Sequence, residues 1–288
     1  MRPWQRWGAA AAIASASACS LFTDLSGLTG QPPRSGDDGG AAAAEAAVSP
    51  DASSDAPASD AARFCERMDP DRSALVCDDF DDGTLNGELD VAEGSSVRLD
   101  DGAAVSPPNA LVANARPVSG GPCVYATADR LMSHDATGVR LDYDLFFGRF
   151  GGGGLPSGDD DTVAVAGEVE LASKTGSGRC FYYLRLARTS TSLISEPAGS
   201  GALETRILAA TVQPGRWTHV TLLVEGPSTA PRVTVLLDGV VVLDKGSTPG
   251  ACETGRVLSQ GNGLLCVGAE VGSDIEVRID NVLLKRLE

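Results

Sequence analysis

The sequence predicts an all-β fold built from two packed antiparallel sheets, and three observations support this prediction. Apolar and polar residues alternate with the period of a strand in roughly a dozen short segments. Turn-forming Gly, Pro, Asn and Asp residues separate these segments. No segment of the folded part has the periodicity of an amphipathic helix. Because β sandwiches of more than ~200 residues form single domains, one core is expected in this 288-residue chain.

The amino terminus has the layout of a bacterial export signal. Two arginines precede a short apolar stretch, and small residues lead to Cys19. The run Ala16-Ser17-Ala18-Cys19 resembles a lipobox, although Ala16 stands where leucine is usual. The resemblance implies a signal peptide at 1–18 and a lipid on Cys19 that anchors the protein to the cell envelope, at the outer membrane or cell surface. An ordinary cut after Ala18 would instead release a secreted protein.

Residues 19–63 are predicted to form a disordered linker. The part from Gly30 to Ala62 consists mostly of Ala, Ser, Asp, Gly and Pro, a composition that cannot bury a core. A flexible segment of this length has a root-mean-square reach of roughly 30 Å. It would therefore hold a folded domain at 64–288 clear of a lipid surface.

The folded domain is predicted to be a succession of strands. Val139–Leu145 alternates apolar with polar residues, and Asp238-Gly239 is a two-residue turn that joins two β-branched runs. A change of phase after Ile279 predicts a β-bulge near Asp280. The predicted strands are 75–80, 97–99, 110–115, 123–128, 139–145, 162–171, 179–187, 203–209, 220–225, 233–237, 240–242, 275–279 and 281–284.

The pattern Trp217-x-His219-Val220, followed by the Asp238-Gly239 hairpin, resembles the laminin-G and concanavalin-A-like jelly rolls. The resemblance implies a two-sheet antiparallel jelly-roll sandwich for 64–288. It also implies that these residues build the scaffold and perform no chemistry.

Cysteine usage predicts three disulfides and an oxidising compartment. The chain has seven cysteines, and lipidation of Cys19 leaves six, for which fifteen pairings exist. A zinc site is disfavoured because the chain has no C-x-x-C motif and two histidines. Proximity along the sequence favours the pairs Cys65–Cys77, Cys123–Cys180 and Cys252–Cys266.

Glu168 and Glu170 would share one face of a strand, at the separation that concanavalin-A-like endoglucanases use. Those enzymes place a third acid beyond the pair, where this chain has Ala172 or Ser173. Without a proton donor the leaving group is not assisted, so the pair is interpreted as an exposed charged strand face.

Phe181, Tyr183 and Arg185 alternate with Tyr182, Leu184 and Leu186 along another strand. If the second set is core, the first set forms a sugar-stacking platform on a sheet; the alternative is ordinary packing under loops.

Acidic residues at strand ends suit calcium, which prefers oxygen ligands. Asp78 and Asp79 in the first strand and Asp280 in the last are the predicted ligands of a structural calcium ion. The alternative is a set of solvated turns, since Asp also forms turns.

The remaining signals exclude several classes of function. A formal net charge of −16 without a basic cluster argues against nucleic acid. His134, assigned to a loop, and His219, assigned to scaffold, form no triad, because the chain lacks a G-x-S-x-G nucleophile elbow.

The sequence therefore predicts a cell-surface lipoprotein whose β sandwich binds a glycan or an envelope partner, without catalysis. Two alternatives remain open: a carbohydrate-active enzyme of the same fold, either a polysaccharide lyase or a glucanase relative, and a purely structural envelope protein.

Overall fold

The computed structural model describes residues 64–102, 104–115, 124–150, 162–187, 190–198, 203–267 and 275–287. The chain divides into two units, 1–61 and 62–288, and the described residues belong to the second. The predicted signal peptide, Cys19 and the linker lie outside them. In the described part no helix is long and apolar enough to cross a membrane.

The described part contains one five-residue helix, α1, and fifteen strands. Their bounds are α1 Phe64–Met68, β1 Val76–Asp78, β2 Glu88–Val91, β3 Ser96–Asp100, β4 Ala110–Ala115, β5 Val124–Ala136, β6 Gly138–Phe150, β7 Thr162–Ala172, β8 Cys180–Ala187, β9 Thr191–Pro197, β10 Glu204–Ile207, β11 Trp217–Glu225, β12 Arg232–Leu237, β13 Val240–Ser247, β14 Gly255–Val267 and β15 Ile275–Leu287.

The strands form two antiparallel sheets, which confirms the predicted two-sheet antiparallel sandwich. An eight-stranded sheet has the order β13-β12-β11-β6-β15-β4-β3, with β1 paired to β15. A seven-stranded sheet has the order β10-β9-β8-β7-β14-β5-β2. About half of the neighbouring pairs in each sheet are not consecutive along the chain, so the sheet order brings together residues that no local pattern connects.

The core lies between the two sheets and is formed by alternate residues of their strands. Each sheet contributes one apolar face because successive side chains of a strand point to opposite sides. The largest fully buried side chains include Tyr143, Leu145 and Phe147 of β6 and Tyr182, Leu184 and Leu186 of β8.

Two predicted local features are confirmed. Asp238 and Gly239 both have positive φ, 50° and 76°, as a two-residue hairpin turn between β12 and β13 requires. The pairing of β15 with β6 shifts register between Asp280 and Leu283, and Asn281 has a φ of 53°. The phase change in the sequence therefore corresponds to a β-bulge.

The disulfides agree with the sequence prediction in one pair and contradict it in two. Cys65 is bonded to Cys77, as predicted. Cys180 is bonded to Cys252, 72 residues away, so the pairs Cys123–Cys180 and Cys252–Cys266 are wrong. The physical reason is that β8 continues from a turn which contacts the loop before β14: Glu253 N donates to Gly178 O at 2.9 Å. Cys123 and the Cys266 side chain lie outside the described residues.

A β-bulge at Gly167 sets which side chains of β7 face the core. The pairing of β7 with β8 shifts register between Ala166 and Glu168. Before the bulge Ala166 points inward, and after it Val169 and Leu171 do, so Glu168 and Glu170 point outward. Gly167 has a φ of +60°, and a Cβ there would lie 2.5 Å from the Tyr143 ring. The Tyr143 hydroxyl donates to Ala166 O at 3.0 Å and so fixes the bulge from the opposite sheet.

We predict that Gly167→Ala destabilises the domain more than Gly176→Ala does. Both glycines have positive φ, but nothing lies within 4 Å of a Cβ at Gly176. Gly176→Ala should cost only the backbone strain of about 1–2 kcal/mol, whereas crowding against Tyr143 adds about 1–3 kcal/mol to Gly167→Ala. Urea unfolding of the two variants measures the difference, and equal losses would show that the Tyr143 contact is unimportant.

Candidate functional site

The side of the seven-stranded sheet that points away from the core, called here the open face, carries most of the buried carboxylates of this sheet. One row of residues crosses it in register through seven strands. From β2 to β10 the row consists of Glu88, Asp129, Gly261, Glu168, Tyr183, Ile194 and Thr205. The row therefore brings two carboxylates, a glycine and a tyrosine side by side at its centre.

Asp129 and Glu168 lie on either side of Gly261. Their side chains point away from the core, yet their residues are only 4% and 6% exposed. Two strand spacings separate their backbones, about 10 Å. A Cβ at Gly261 would collide with Asp129 Oδ1 and lie 3.7 Å from Glu168 Cβ. The glycine therefore leaves the space above β14 into which the Asp129 carboxylate extends.

Glu170 occupies the next row, between Ser259 of β14 and Phe181 of β8. Arg179 Nε donates to Glu170 Oε1 at 2.6 Å, and Ser259 Oγ donates to Oε2 at 3.2 Å. Glu170 is 4% exposed. The prediction that Glu168 and Glu170 form an exposed charged face is wrong, because both carboxylates are buried on the open face.

Tyr183 lies directly opposite Glu168 and is hydrogen-bonded to Glu196 of β9. Its hydroxyl donates to Glu196 Oε2 at 2.9 Å. Burial raises the pKa of Tyr183 above its ordinary value, and the neighbouring Glu196 and Glu168 carboxylates raise it further. Burial also raises the pKa of Glu196, although the hydrogen bond from Tyr183 opposes this. Both groups therefore hold a proton more readily than in water.

The predicted sugar platform is on the open face, but its three members differ in exposure. Phe181 is only 7% exposed, whereas Tyr183 and Arg185 are half-buried. A buried ring offers little area for stacking, so Phe181 packs between the neighbouring strands. Sugar binding by these residues stays a prediction.

The carboxylates predicted to bind calcium have separate sets of partners. Asp78 accepts from Phe80 N at 3.1 Å and forms an ion pair with Arg130. Asp280 accepts from Val105 N and Ser106 N, both at 2.9 Å. Within the described ranges no three His, Cys, Asp or Glu side chains are grouped to hold a metal ion. The predicted site therefore gains no support, and calcium binding stays untested.

A depression of about 570 Å³ lies beside Asp129 at the edge of the open face. It is lined by Asn86, Gly87 and Glu88 before and within β2, and by Asp129, Arg130 and Leu131 of β5. Leu131 is 66% exposed. The depression thus continues the central row toward the edge of the sheet.

His219 belongs to a hydrogen-bonded network on the opposite, eight-stranded sheet. Its Nδ1 lies 2.8 Å from Asp144 Oδ1 and its Nε2 lies 3.6 Å from Asp142 Oδ1. These carboxylates raise the pKa of His219 from 6.5 to about 9. Burial alone would raise the pKa of Asp142, but hydrogen bonds led by that from His219 lower it to about 2. A histidine held this way stays protonated and joins β11 to β6, as the predicted scaffold role requires.

His134, predicted to lie in a loop, is instead an exposed residue of the long strand β5. The strand extends beyond the segment that sequence alternation marked, because β14 pairs with it as far as Ala136.

Sequence reasoning missed Asp129 and Glu196. Each stands alone in its segment, 39 and 28 residues from Glu168, and only the order of the strands brings them to Glu168 and Tyr183. No strand was predicted between 242 and 275, although β14 lies there. Once β14 is known, Gly261 is a signal, since a strand glycine often marks a close approach of another group.

Comparisons with known proteins show the fold alone. No family model and no curated protein matches the sequence. The endo-β-1,4-glucuronan lyase of the fungus Trichoderma reesei is 14% identical, covers 74% of this chain and 96% of its own, and has a TM-score of 0.54. The cellulose-induced protein Cip1 is 13% identical, covers 73% of this chain and 96% of its own, and has a TM-score of 0.50.

These comparisons correct the prediction of a protein without catalysis. That prediction treated the fold as scaffold and noted the lack of a third acid near Glu168. A chain with this same fold is a lyase, and the sheet order supplies Asp129 and Glu196 to the open face. Both grounds for the prediction are therefore removed.

We predict that protonated His219 stabilises the domain at neutral pH. Because its pKa is raised in the folded state, its contribution is fully present below 6.5 and is lost as the pH rises through about 9. Urea unfolding across this interval should show a loss of stability that is smaller in His219→Gln. His134→Gln, which changes the exposed histidine, is the matched control and should lose as much as the wild type. A loss of the same size in His219→Gln would contradict the prediction.

Proposed function

We propose that the protein is a carbohydrate-active enzyme that cleaves a polysaccharide lying across the open face of its seven-stranded sheet. The observation that carries the proposal is the pair Asp129 and Glu168, two buried carboxylates that flank Gly261 on the side of the sheet turned away from the core. Burying a carboxylate is costly unless the surroundings compensate, and such groups concentrate at functional sites. The likeness in fold to a glucuronan lyase agrees with this class of function.

The carboxylate pair suits hydrolysis of a glycosidic bond. One carboxylic acid protonates the departing oxygen, and the other carboxylate either attacks the anomeric carbon or activates the water that does so. The bond between the anomeric carbon and the bridging oxygen breaks, and water supplies the new hydroxyl groups. Asp129 and Glu168 belong to strands two apart, on either side of Gly261, so a sugar residue bound over this part of the open face would be near both.

A second candidate reaction, β-elimination, is favoured by the position of Tyr183. In that reaction a base removes the proton next to the uronate carboxyl group, a carbon–carbon double bond forms, and the bond to the leaving oxygen breaks as that oxygen gains a proton. Glu168 would be the base and Tyr183, directly opposite it, the proton donor. Tyr183 is protonated at neutral pH, as an ordinary tyrosine is, and its hydroxyl, which donates to Glu196 Oε2, would turn to the leaving oxygen. Arg185 of the same strand face would oppose the uronate charge.

We predict that Glu168→Gln and Asp129→Asn each lower cleavage by roughly 10²–10⁴-fold, the contribution of a positioned acid or base. Glu225→Gln, on a strand of the other sheet, should keep full activity. Reducing ends would be measured on laminarin, lichenan, agarose, alginate and glucuronan, and ultraviolet absorbance of the product double bond identifies elimination. Tyr183→Phe should remove activity only if elimination occurs.

Product formation that survives in both Glu168→Gln and Asp129→Asn would contradict the role of the open face. Absence of product from all five polysaccharides with the wild type would count against cleavage. Circular dichroism of each variant, compared with Glu225→Gln, separates loss of chemistry from loss of fold.

We also propose that the enzyme is exported and anchored to the cell envelope through a lipid on Cys19, as the lipobox-like run Ala16–Cys19 suggests. The linker at 19–63 would then extend the domain toward substrates outside the cell. A disulfide-bonded domain fits an oxidising compartment.

Cys19→Ala is expected to move the protein from the detergent phase to the aqueous phase, because a lipid chain supplies most of the membrane affinity of such a protein. Detergent partitioning of cell extracts measures this, with Cys65→Ala as a control that removes a cysteine of the folded domain and keeps the lipid. Retention of Cys19→Ala in the detergent phase would contradict lipidation.

A further inference from the structure

The hydrogen bond between Tyr183 and Glu196 decides where the phenol proton of Tyr183 points. Glu196 lies two residues beyond Ile194 on β9, so its side chain is on the same side of the sheet as Ile194, the residue that pairs with Tyr183. The Tyr183 hydroxyl donates to Glu196 Oε2 at 2.9 Å. On its other side Tyr183 pairs with Glu168 of β7. Tyr183 therefore has a carboxylate on each of its two neighbouring strands.

A phenol has one proton to donate, and in this arrangement Glu196 accepts it. An ionised carboxylate is only an acceptor, and hydrogen bonds to a charged acceptor are roughly twice as strong as those between neutral groups. The proton that β-elimination requires at the leaving oxygen is then held by Glu196. A protonated carboxyl group can instead donate to the Tyr183 oxygen, which leaves the phenol proton free. The pair therefore has two hydrogen-bonding states, and one proton on Glu196 separates them.

The surroundings of the pair allow Glu196 to take up this proton. Burial raises the pKa of Glu196 above its ordinary value, and the hydrogen bond from Tyr183 opposes that rise. Burial, Glu196 and Glu168 raise the pKa of Tyr183, and Arg185 of the same strand opposes them. The phenol therefore keeps its own proton over the pH range in which the carboxyl group of Glu196 gains or loses one.

The other charged side chains on the described parts of strands β7 to β10 are paired with one another. Glu170 of β7 is bonded to Arg179, just before β8, and Glu204 of β10 is bonded to Arg206. Among the described residues no basic side chain is paired with Glu196, as would be needed to hold it ionised.

We propose that Glu196 is a positioning residue that acts through Tyr183: in its protonated form it donates to the Tyr183 oxygen and frees the phenol proton for the leaving oxygen. The inference rests on the proposed function, in its β-elimination form. It makes the protonation of a side chain on β9, outside the pair formed by Glu168 and Tyr183, a condition of cleavage.

The protons of this step balance. Glu168 removes the proton next to the uronate carboxyl group, a carbon–carbon double bond forms, and the bond from carbon to the leaving oxygen breaks. The leaving oxygen takes the phenol proton, and the Tyr183 oxygen takes the proton of Glu196. Glu168 thus gains one proton and Glu196 loses one, and exchange with water restores both.

The pH dependence of cleavage by the full chain tests this role. Unsaturated product is followed by its ultraviolet absorbance on alginate and glucuronan. In the wild type the rate should fall about tenfold per pH unit once the pH exceeds the pKa of Glu196, because the protonated fraction falls in that proportion. Glu196→Gln should lose this alkaline decline, because its amide donates to Tyr183 at every pH. Glu225→Gln, the matched control on the other sheet, should keep the wild-type profile.

A second measurement needs no substrate. NMR of the full chain labelled at the Cζ carbon of tyrosine reports whether the phenol donates to a carboxylate, and the Tyr183→Phe spectrum identifies the Tyr183 signal. That signal should shift as Glu196 ionises, and it should stay constant over the same pH range in Glu196→Gln. Because the wild-type titration alone can contradict the proposal, a folding defect in Glu196→Gln would not leave it untested.

Two results would overturn the inference and leave the proposed cleavage standing: an alkaline decline of the same size in Glu196→Gln, or an exclusively saturated product. A wild-type Tyr183 signal that does not respond to pH in this range would overturn it as well. If the signal responds but the wild type cleaves none of the polysaccharides, the hydrogen-bond switch is supported and the enzymatic role is removed.

Discussion

The contact between Tyr143 and Gly167 is the constraint on which the arrangement of the open face depends. Tyr143 comes from the eight-stranded sheet, is fully buried, and donates its hydroxyl proton to Ala166 O of β7. Its ring occupies the space that any side chain at position 167 would need. The bulge that results adds one residue to β7 and inverts the phase of the strand beyond it. Without that inversion Glu168 and Glu170 would point into the apolar core.

The two sheets use buried carboxylates in different ways. On the eight-stranded sheet, Asp142 and Asp144 surround a protonated histidine, and Arg140 and Thr221 complete the network. Such a network holds strands in register and leaves its groups occupied. On the open face, Glu170 is paired with Arg179, Asp129 Oδ2 accepts a hydrogen bond from Thr127 Oγ1 at 3.1 Å, and Asp129 and Glu168 lie on either side of Gly261. Two buried carboxylates on either side of a strand glycine are the arrangement from which the proposed catalytic role is argued.

The sequence predicted most of the fold because its alternation records which face of a strand is buried. Val139–Leu145 and the Asp238-Gly239 turn are local patterns, and the structure has both. The bulge near Asp280 was also visible as a change of phase. The bulge at Gly167 was not, because Gly167-Glu168-Val169 reads as ordinary alternation unless the partner of the strand is known. Only the Tyr143 ring, from another sheet, shows why that glycine is needed.

Contacts between strands that are distant in sequence could not be predicted from the sequence for the same reason. Nearness along the chain suggested Cys252 with Cys266, but the strand order places Cys252 against Cys180 at a Cα separation of 5.3 Å. The same order brings Asp129 from β5 and Glu196 from β9 to the strands that carry Glu168 and Tyr183. Residues that meet only through non-local pairing are not marked by a characteristic spacing in the sequence. The candidate site could therefore be predicted only in the strands that hold Glu168 and Glu170 and Tyr183 and Arg185.

The fold and the chemistry of this sandwich have to be separated when its substrate is considered. The sheet of a jelly roll can be decorated with many different side chains without a change of fold. Similarity of fold to a glucuronan lyase therefore does not show that this chain acts on glucuronan. The central row carries the carboxylates Glu88, Asp129 and Glu168. The nearby Arg130 and Arg179 are each paired with an acid, and Arg185 lies beside Tyr183 on the same face. A polymer of uronates would bring further negative charge to this surface. An uncharged polysaccharide meets no such repulsion, because the same carboxylates accept hydrogen bonds from its hydroxyl groups. The open face therefore offers carboxylates to the hydroxyl groups of a neutral chain and Arg185 to the carboxylate of a uronate, and the chemistry of the product, hydrolytic or unsaturated, distinguishes the two substrates.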